Sequence, residues 1–457
     1  MWKHLRERFR QVYVRVLHPH IPTHERVEIL RGLPEGSKLS PSLFGIYVAD
    51  LILELRRRFP NATVAHGSAA PVWIGGILYV DDLALISTDP DELQAMLDVC
   101  QNWSERTRVQ INAGKSKIMV FHEPSDEHAK RLRRPTSRSG GVKTRLPPTS
   151  FHPRHHFPRS LPADQRVTNL EEVKEFTCLG LCLDSSLSMH AALREIKSRA
   201  SKAHALVSAV SYSLRYDKRR WNTNTADTAI GAAPSRILTL WKSTVLPHYL
   251  LYLRYITTRE LADSMQVAMT KSLETTLHVY GEKTSILIET GIPPLHLTQH
   301  VQLAQFRFRL RTCTGNIIPH QLWSLWEPIA NQLPLTSLDR RMHASTKLLD
   351  PKLLDPDRLP IDCPAPRSVE SAQLPNREKC YRRHLESCAT KWWIGILQDT
   401  LDAGRAISAH SRQIAYLSLH LGDLRKRRSA YSPAHYLKCA HPAQLDLLLL
   451  RAQASPI

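Results

Sequence analysis

Tyr79-Val80-Asp81-Asp82 sets two adjacent carboxylates between two apolar runs, Trp73 to Tyr79 before them and Leu83 to Ile86 after. Side chains alternate along a strand, so consecutive aspartates inside one would face opposite ways. At the tip of a hairpin, both can approach a metal-bound triphosphate. Divalent ions about 3.5–4 Å apart can activate a hydroxyl and neutralise the charge on a leaving pyrophosphate, and hard oxygen donors are what magnesium takes. On its own an Asp-Asp pair reads as a solvated turn between strands. The surrounding segments point the other way.

Upstream lies Arg31-Gly32-Leu33-Pro34-Glu35-Gly36-Ser37-Lys38-Leu39-Ser40-Pro41-Ser42-Leu43-Phe44, then an apolar run through Ile46, Tyr47, Val48, Leu51, Ile52 and Leu55. Gly32 and Gly36 bracket a proline turn where backbone can approach a base pair closely, and Ser40-Pro41 starts a helix with proline in its first turn. Downstream, Asn112-Ala113-Gly114-Lys115-Ser116-Lys117 lies between two segments that read as strands, 108–111 and 118–121, and Phe176-Thr177-Cys178-Leu179-Gly180 follows. In this order the pieces resemble the palm of a reverse transcriptase, specifically that of non-LTR (LINE-type) retrotransposons. The resemblance covers roughly residues 12–310, and the order of motifs is far more specific than any one of them.

The resemblance implies a role for each motif. Gly32, Pro34, Glu35, Gly36, Ser40 and Pro41 would hold the template and the nascent base pair. Asp81 would bind metal, magnesium or manganese, with Asp82 in support, and Tyr79 would lie under the primer end. Lys115 matches the lysine that contacts the incoming triphosphate or protonates the departing pyrophosphate, a task suited to a compact ammonium; taken alone, Lys115 reads equally as a solvated loop lysine. Leu179 and Gly180 resemble the primer grip. The partners implied are an RNA template, a DNA primer or RNA–DNA duplex, and deoxynucleoside triphosphates.

Three departures stand out. The family carries a further metal-binding aspartate before the Gly-Leu-Pro loop, yet residues Met1 to Leu30 contain no aspartate, only Glu7, Glu25 and Glu28 as acids. Glu35 stands where the family usually has glutamine, so an amide able to donate becomes an acceptor-only carboxylate. Cys178 replaces the usual aromatic of the grip. With one carboxylate wall missing, catalytic groups that act as a unit fail together. The expectation is the carboxyl-terminal half of a reverse transcriptase, inactive alone; the alternative is a non-catalytic nucleic-acid-binding remnant.

Charge agrees with a phosphate-bearing partner. The 62 Lys and Arg exceed the 42 Asp and Glu by 20 in 457 residues, although a basic surface alone also fits other highly charged proteins. No stretch of about 18 apolar residues offers a membrane span, and the first residues lack the apolar core of a signal peptide, so an intracellular protein of nucleus or cytoplasm is expected. The eight cysteines are scattered and fit reduced thiols. Cys178, Cys182 and His190 are set aside as a zinc site because no paired Cys/His set completes them.

The fold class expected is α+β: a partial right-hand polymerase palm over 1–121, entered through a basic helix end at Leu5–Gln11 and a hairpin of Val12–Leu17 with Val27–Leu30. Asp89 is a natural N-cap with Pro90 at the first helical position and Glu92 closing a capping box; Leu93, Met96, Leu97 and Cys100 share one face. Residues 122–166 read as a flexible basic insertion: His128 to Arg159 holds nine Lys or Arg, five prolines and no Asp or Glu, which cannot support a packed core. Its His152, His155 and His156 read as solvated filler. A primer-grip-like hairpin is placed at 167–187.

A helical thumb and connection are placed at 188–312. There Leu193, Ile196, Ala200, Ala203, Val207 and Val210 recur at helical spacing, and Arg194, Lys197, Arg199 and Lys202 occupy the other faces. Further helices are read over Ile237–Tyr252 with a kink at Pro247, Leu261–Val279, and Leu295–Leu310 after Pro293-Pro294. Residues 313–376 read as a Pro-rich, poorly ordered connector. The C-terminal region, 377–457, is read as helical, with Trp392, Trp393, Ile396 and Leu397 on an apolar face and a short helix over Pro442–Ala454. No nuclease-like cluster or Cys/His knuckle is evident.

Overall fold

The computed structural model describes residues 13–15, 26–28, 38–109, 111–112, 114–121, 170–216, 234–277, 279, 283–312, 317–355 and 374–406, with 413, 417, 421, 422 and 425. Outside them lie the expected Leu5–Gln11 helix, the Gly32–Gly36 loop, the 122–166 insertion and the Pro442–Ala454 helix. The chain divides into two compact units, 1–118 with 130–172 and 119–129 with 173–457. It is mostly helical with small, largely antiparallel sheets, an α+β composition compatible with a polymerase-like fold. No helix among the described residues is long and apolar enough to cross a membrane.

In the first unit β1 (Tyr13–Arg15) pairs antiparallel with β2 (Arg26–Glu28). Helix α1 (Ser40–Arg58) starts as its sequence dictates, with Pro41 in the first turn, where a missing N–H costs no hydrogen bond. Arg56, Arg57 and Arg58 close it at the negative end of the helix dipole. The Phe59 carbonyl then accepts from Trp73 Nε1 at 2.8 Å, which fastens the next strands to the helix end. Those strands are β3 (Thr63–Val64) with β4 (Val72–Trp73), and β5 (Gly76–Tyr79) with β6 (Asp82–Leu85), each pair antiparallel.

Helix α2 (Pro90–Thr107) is capped by Asp89, whose carboxylate accepts from the Asp91 N–H at 3.0 Å. The expected capping box is modified: Glu92 pairs with the Ser87 hydroxyl, and that hydroxyl, not Glu92, accepts the Asp89 N–H at 3.0 Å. Val48, Leu51 and Leu55 of α1, Trp73, and Met96, Val99, Cys100 and Trp103 of α2 form one core. Fully burying such side chains stabilises by roughly 1.5–3 kcal/mol each. Trp103 Nε1 reaches Asp50 at 2.9 Å, so its polar edge is satisfied as its ring packs.

The strands expected on either side of Lys115 are corrected. β7 (Lys117–Ile118) pairs in parallel with β8 (Glu171–Glu172), and no strand is formed at 108–109 or 111. The cause is local: Arg108 takes φ 59 at the end of α2, and the Asn112 carbonyl accepts from both Lys115 and Ser116, which curls the chain instead of returning it as a hairpin. Lys117 Nζ meets Glu171 at 2.7 Å across the new pair.

The second unit begins with the hairpin β9 (Glu175–Cys178) and β10 (Leu181–Asp184). Helix α3 (His190–Tyr216) buries Leu193, Ile196, Ala200, Ala203 and Val207, while Val210, expected on that face, is 44% exposed. The predicted 237–252 helix is two, α4 (Pro234–Thr244) and α5 (Leu246–Leu250), since Pro247 begins a new helix rather than kinking the old one. Next come α6 (Arg259–Leu277), α7 (Lys283–Thr290) and α8 (Leu295–Thr312). Trp241 is fully buried with its Nε1 on Ser272 at 3.0 Å.

The poorly ordered connector expected over 313–376 is corrected only for its described residues. Residues 317–355 form α9 (Ile317–Trp326), a 3-10 turn (Glu327–Gln332), α10 (Leu338–Leu349) and another 3-10 turn (Pro351–Leu354). Pro319, Pro328 and Pro351 all sit in first turns, where proline starts helices. Helix α11 (Leu374–Ala406) buries Tyr381, Leu385, Ala389, Trp393, Leu397 and Leu401; Ile396, expected on its apolar face, is 38% exposed. Phe308 of α8 stacks on Tyr381 with ring centres 4.1 Å apart. One core runs from Met189 to Leu421, so described residues of the segments read separately as 188–312, 313–376 and 377–457 share it.

Candidate active site

Tyr79 and Asp82 close the β5–β6 turn as partners, which leaves Val80 and Asp81 as its two central residues. Alternation then sorts the hairpin into two faces. Leu78, Leu83 and Leu85 pack against the α1–α2 core, whereas Tyr79, Asp82 and Ile77 lie on the exposed face. Asp81 sits at the tip and is exposed as well. Both carboxylates therefore reach solvent at one end of one hairpin.

The hairpin root is pressed onto the core by two glycines. A β-carbon at Gly75 would lie 2.8 Å from the Ala62 Cβ, and one at Gly76 would lie 3.3 Å from the Trp73 ring. Ile86 N–H donates to the Gly75 carbonyl at 3.1 Å, which continues the pairing past β6. Val80 at the tip has φ 55 and Asp81 does not share the positive sign. A turn with φ positive only at its first central residue favours glycine there, so valine holds a strained conformation.

Among the described residues, Asp81 and Asp82 make no ion pair or hydrogen bond through their carboxylates. They are hard oxygen donors left open to solvent, which is the donor type that fits magnesium or manganese. They supply two carboxylates and no third: the one described group of three metal-ligating side chains lies elsewhere, at Asp350, His384 and Cys388.

Lys115 is exposed on the turn made by Asn112, whose carbonyl and side-chain oxygen both accept its N–H, each at 3.1 Å. No ion pair joins it to either hairpin carboxylate among the described residues. Ser40 and Pro41 form the first turn of α1. Gly32, Pro34, Glu35 and Gly36 lie outside the described residues.

In the second unit, Leu179 (φ 48) and Gly180 (φ 82) are the two central residues of the β9–β10 turn, the left-handed pair that matches strand twist. Both of its carbonyls are held. The Tyr252 hydroxyl donates to Leu179 O, and Arg199 Nη1 donates to Gly180 O at 2.9 Å. A β-carbon at Gly180 would lie 2.8 Å from the Tyr252 hydroxyl oxygen. Nothing local in the sequence announces this clamp, because Tyr252 is 73 residues from Leu179.

The hairpin leads into α3 through Asp184, which accepts from the N–H and hydroxyl groups of Ser186 and Ser188. Desolvation alone would raise its pKa, but those four bonds outweigh it and bring it down to about 2. The spacing Asp184-x-Ser186-x-Ser188 is a readable capping signal that sequence reasoning passed over. The basic residues of α3 are partly engaged within the unit: Arg194 with Glu175, Lys197 with Ser264 and Arg199 with Glu195.

Residues 5–183 match the family model for reverse transcriptase (RNA-dependent DNA polymerase). The RNA-directed DNA polymerase from mobile element jockey of Drosophila funebris is 34% identical over 99 residues, a match covering 20% of this chain and 10% of that protein. The chain thus spans about a tenth of the curated relative's length. No solved structure matches. Together the two matches support a LINE-type reverse-transcriptase region in this chain.

Proposed function

We propose that this chain carries part of a LINE-type RNA-directed DNA polymerase, with the β5–β6 hairpin contributing carboxylates to its nucleotidyl-transfer site. The observation that carries the reading is the exposed Asp81-Asp82 pair at a hairpin tip inside the region that matches the reverse-transcriptase family. On this reading the first unit is a partial palm, and the β9–β10 hairpin with α3 is a primer grip and thumb.

Asp81 and Asp82 would hold magnesium or manganese, which supplies Lewis-acid activation of a primer hydroxyl and charge neutralisation at the triphosphate. Tyr79, beside Asp82 on the exposed face, offers an aromatic surface to the primer end. Lys115, exposed on its turn, would meet triphosphate oxygens or protonate pyrophosphate. The first turn of α1 would contact the template base pair. Leu179 and Gly180, fixed by Tyr252 and Arg199, would hold the primer backbone, and the net charge of +20 favours phosphate binding throughout.

A second reading follows from one observation. Residues Met1 to Leu30 hold no aspartate, and the hairpin supplies only two carboxylates. If those two carboxylates are all that a metal pair meets, the chain by itself would bind nucleic acid without extending a primer.

Primer extension on an RNA template separates these readings. The chain alone is expected to incorporate nucleotide at or near background. Fusing the upstream segment of a related full-length element should restore incorporation, and Asp81→Ala should abolish it again. Activity that is indifferent to Asp81→Ala would overturn the hairpin assignment. A fusion that binds duplex but never extends it would favour the binding reading.

A further inference from the structure

The C-terminal end of α10 and the middle of α11 bring together three side chains that the nucleotidyl-transfer reading does not use. Asp350 ends α10, its N–H bonded to the Thr346 carbonyl at 2.9 Å, and caps the following 3-10 turn by accepting Lys352 N–H on Oδ1 at 3.1 Å. Its other oxygen, Oδ2, is thereby aimed at His384 Nε2, 2.8 Å away. Cys388, one turn along α11, places Sγ 3.5 Å from the same ring nitrogen. The three donor atoms lie within 4.8 Å of one another, and all three side chains are half-buried.

A hydrogen-bonded tie between helices accounts for the Asp350–His384 contact but not for the third member. Nε2 carries one proton or one lone pair, and both Oδ2 and Sγ address it. Nor does the arrangement suit an activated thiol, which needs the carboxylate on the other ring nitrogen so that Nε2 is left to the sulfur. A single cation among the three donors would satisfy all of them at once.

We propose that Asp350, His384 and Cys388 form a binding site for a zinc-type divalent cation. Tetrahedral zinc with bonds of about 2.0–2.3 Å sets its nitrogen and sulfur ligands roughly 3.5 Å apart, close to the separation present here. The oxygen and nitrogen need to open by only about half an ångström. A thiolate among the donors selects zinc over magnesium, so this site differs in chemistry from the all-oxygen hairpin. Partial exposure leaves room for water as a fourth ligand. The bound ion would staple the end of α10 to α11.

Titration of the full chain with cobalt(II), and with zinc in competition, tests this. One equivalent of cobalt should bind with thiolate-to-metal charge-transfer absorption, be displaced by zinc, and protect Cys388 from alkylation in the unsubstituted protein. Cys388→Ser and Asp350→Asn should each weaken binding by about tenfold or more. The asparagine oxygen keeps the 3-10 cap, so Asp350→Asn should stay folded if Cys388→Ser does not. Cys182→Ser should bind as the parent does. Absence of stoichiometric binding, or binding with unchanged absorption in both ligand variants, would overturn the proposal.

Discussion

Gly75 lies against Ala62 so closely that a β-carbon added to it would stand 2.8 Å from the Ala62 Cβ, with the Trp73 ring at 3.1 Å and the Met96 methyl at 3.2 Å. The contact is with a backbone-anchored methyl, so it cannot be relieved by rotating a side chain. Gly75→Ala should therefore destabilise the first unit by about 1–3 kcal/mol, as overpacking does. Chemical denaturation should show a lower midpoint with an unchanged slope. A midpoint equal to the parent's would mean that the hairpin root is looser than it stands here.

The Tyr252 clamp on the β9–β10 turn gives a second prediction. Tyr252→Phe removes the donor to the Leu179 carbonyl and should cost about 0.5–1.5 kcal/mol. Gly180→Ala should cost more, roughly 1–3 kcal/mol from the left-handed backbone alone, with the Tyr252 hydroxyl also displaced. In an extension-competent fusion both should weaken primer binding more than nucleotide binding. An unchanged primer affinity in Gly180→Ala would remove the turn from the primer site.

Asp339, at the start of α10, gives a pH dependence. Burial first, and then the nearby Glu327 charge, raise its pKa to about 6 from an ordinary carboxylate value. A folded-state value above the unfolded one means stability that is fully present below about pH 4 and is lost as pH rises through about 6. Asp339→Asn should thus raise the melting temperature at pH 8 and do little near pH 4. Equal effects at both pH values would contradict the assignment.

Salt should govern nucleic-acid binding. Fluorescence anisotropy with an RNA–DNA duplex should show affinity falling by on the order of a thousandfold between about 50 and 200 mM salt if some six phosphates are engaged. Binding that is absent, or flat with salt, would count against a phosphate-facing surface.

The elements legible in the sequence are those specified over a few residues. Asp89-Pro90 announces α2, Ser40-Pro41 announces α1, and Asp81-Asp82 between apolar runs announces its hairpin. What escaped reading depends on distant partners or on ambiguous punctuation. β7 pairs with β8 across more than fifty residues, and the prolines at 319, 328 and 351 look like breakers although each begins a helical turn. His384 and Cys388 show helical spacing, but Asp350 joins them only because α10 ends where it does.

Val80 carries a consequence for the hairpin as a device. A β-branched residue held at φ 55 costs on the order of 1–3 kcal/mol that glycine would not. Substituting glycine should make the turn easier to form and also easier to deform, since glycine enters the left-handed region without being confined there. The tip thus behaves as a loaded spring rather than a hinge. The strain sits at the residue just before Asp81, and a glycine there would hold the tip less rigidly.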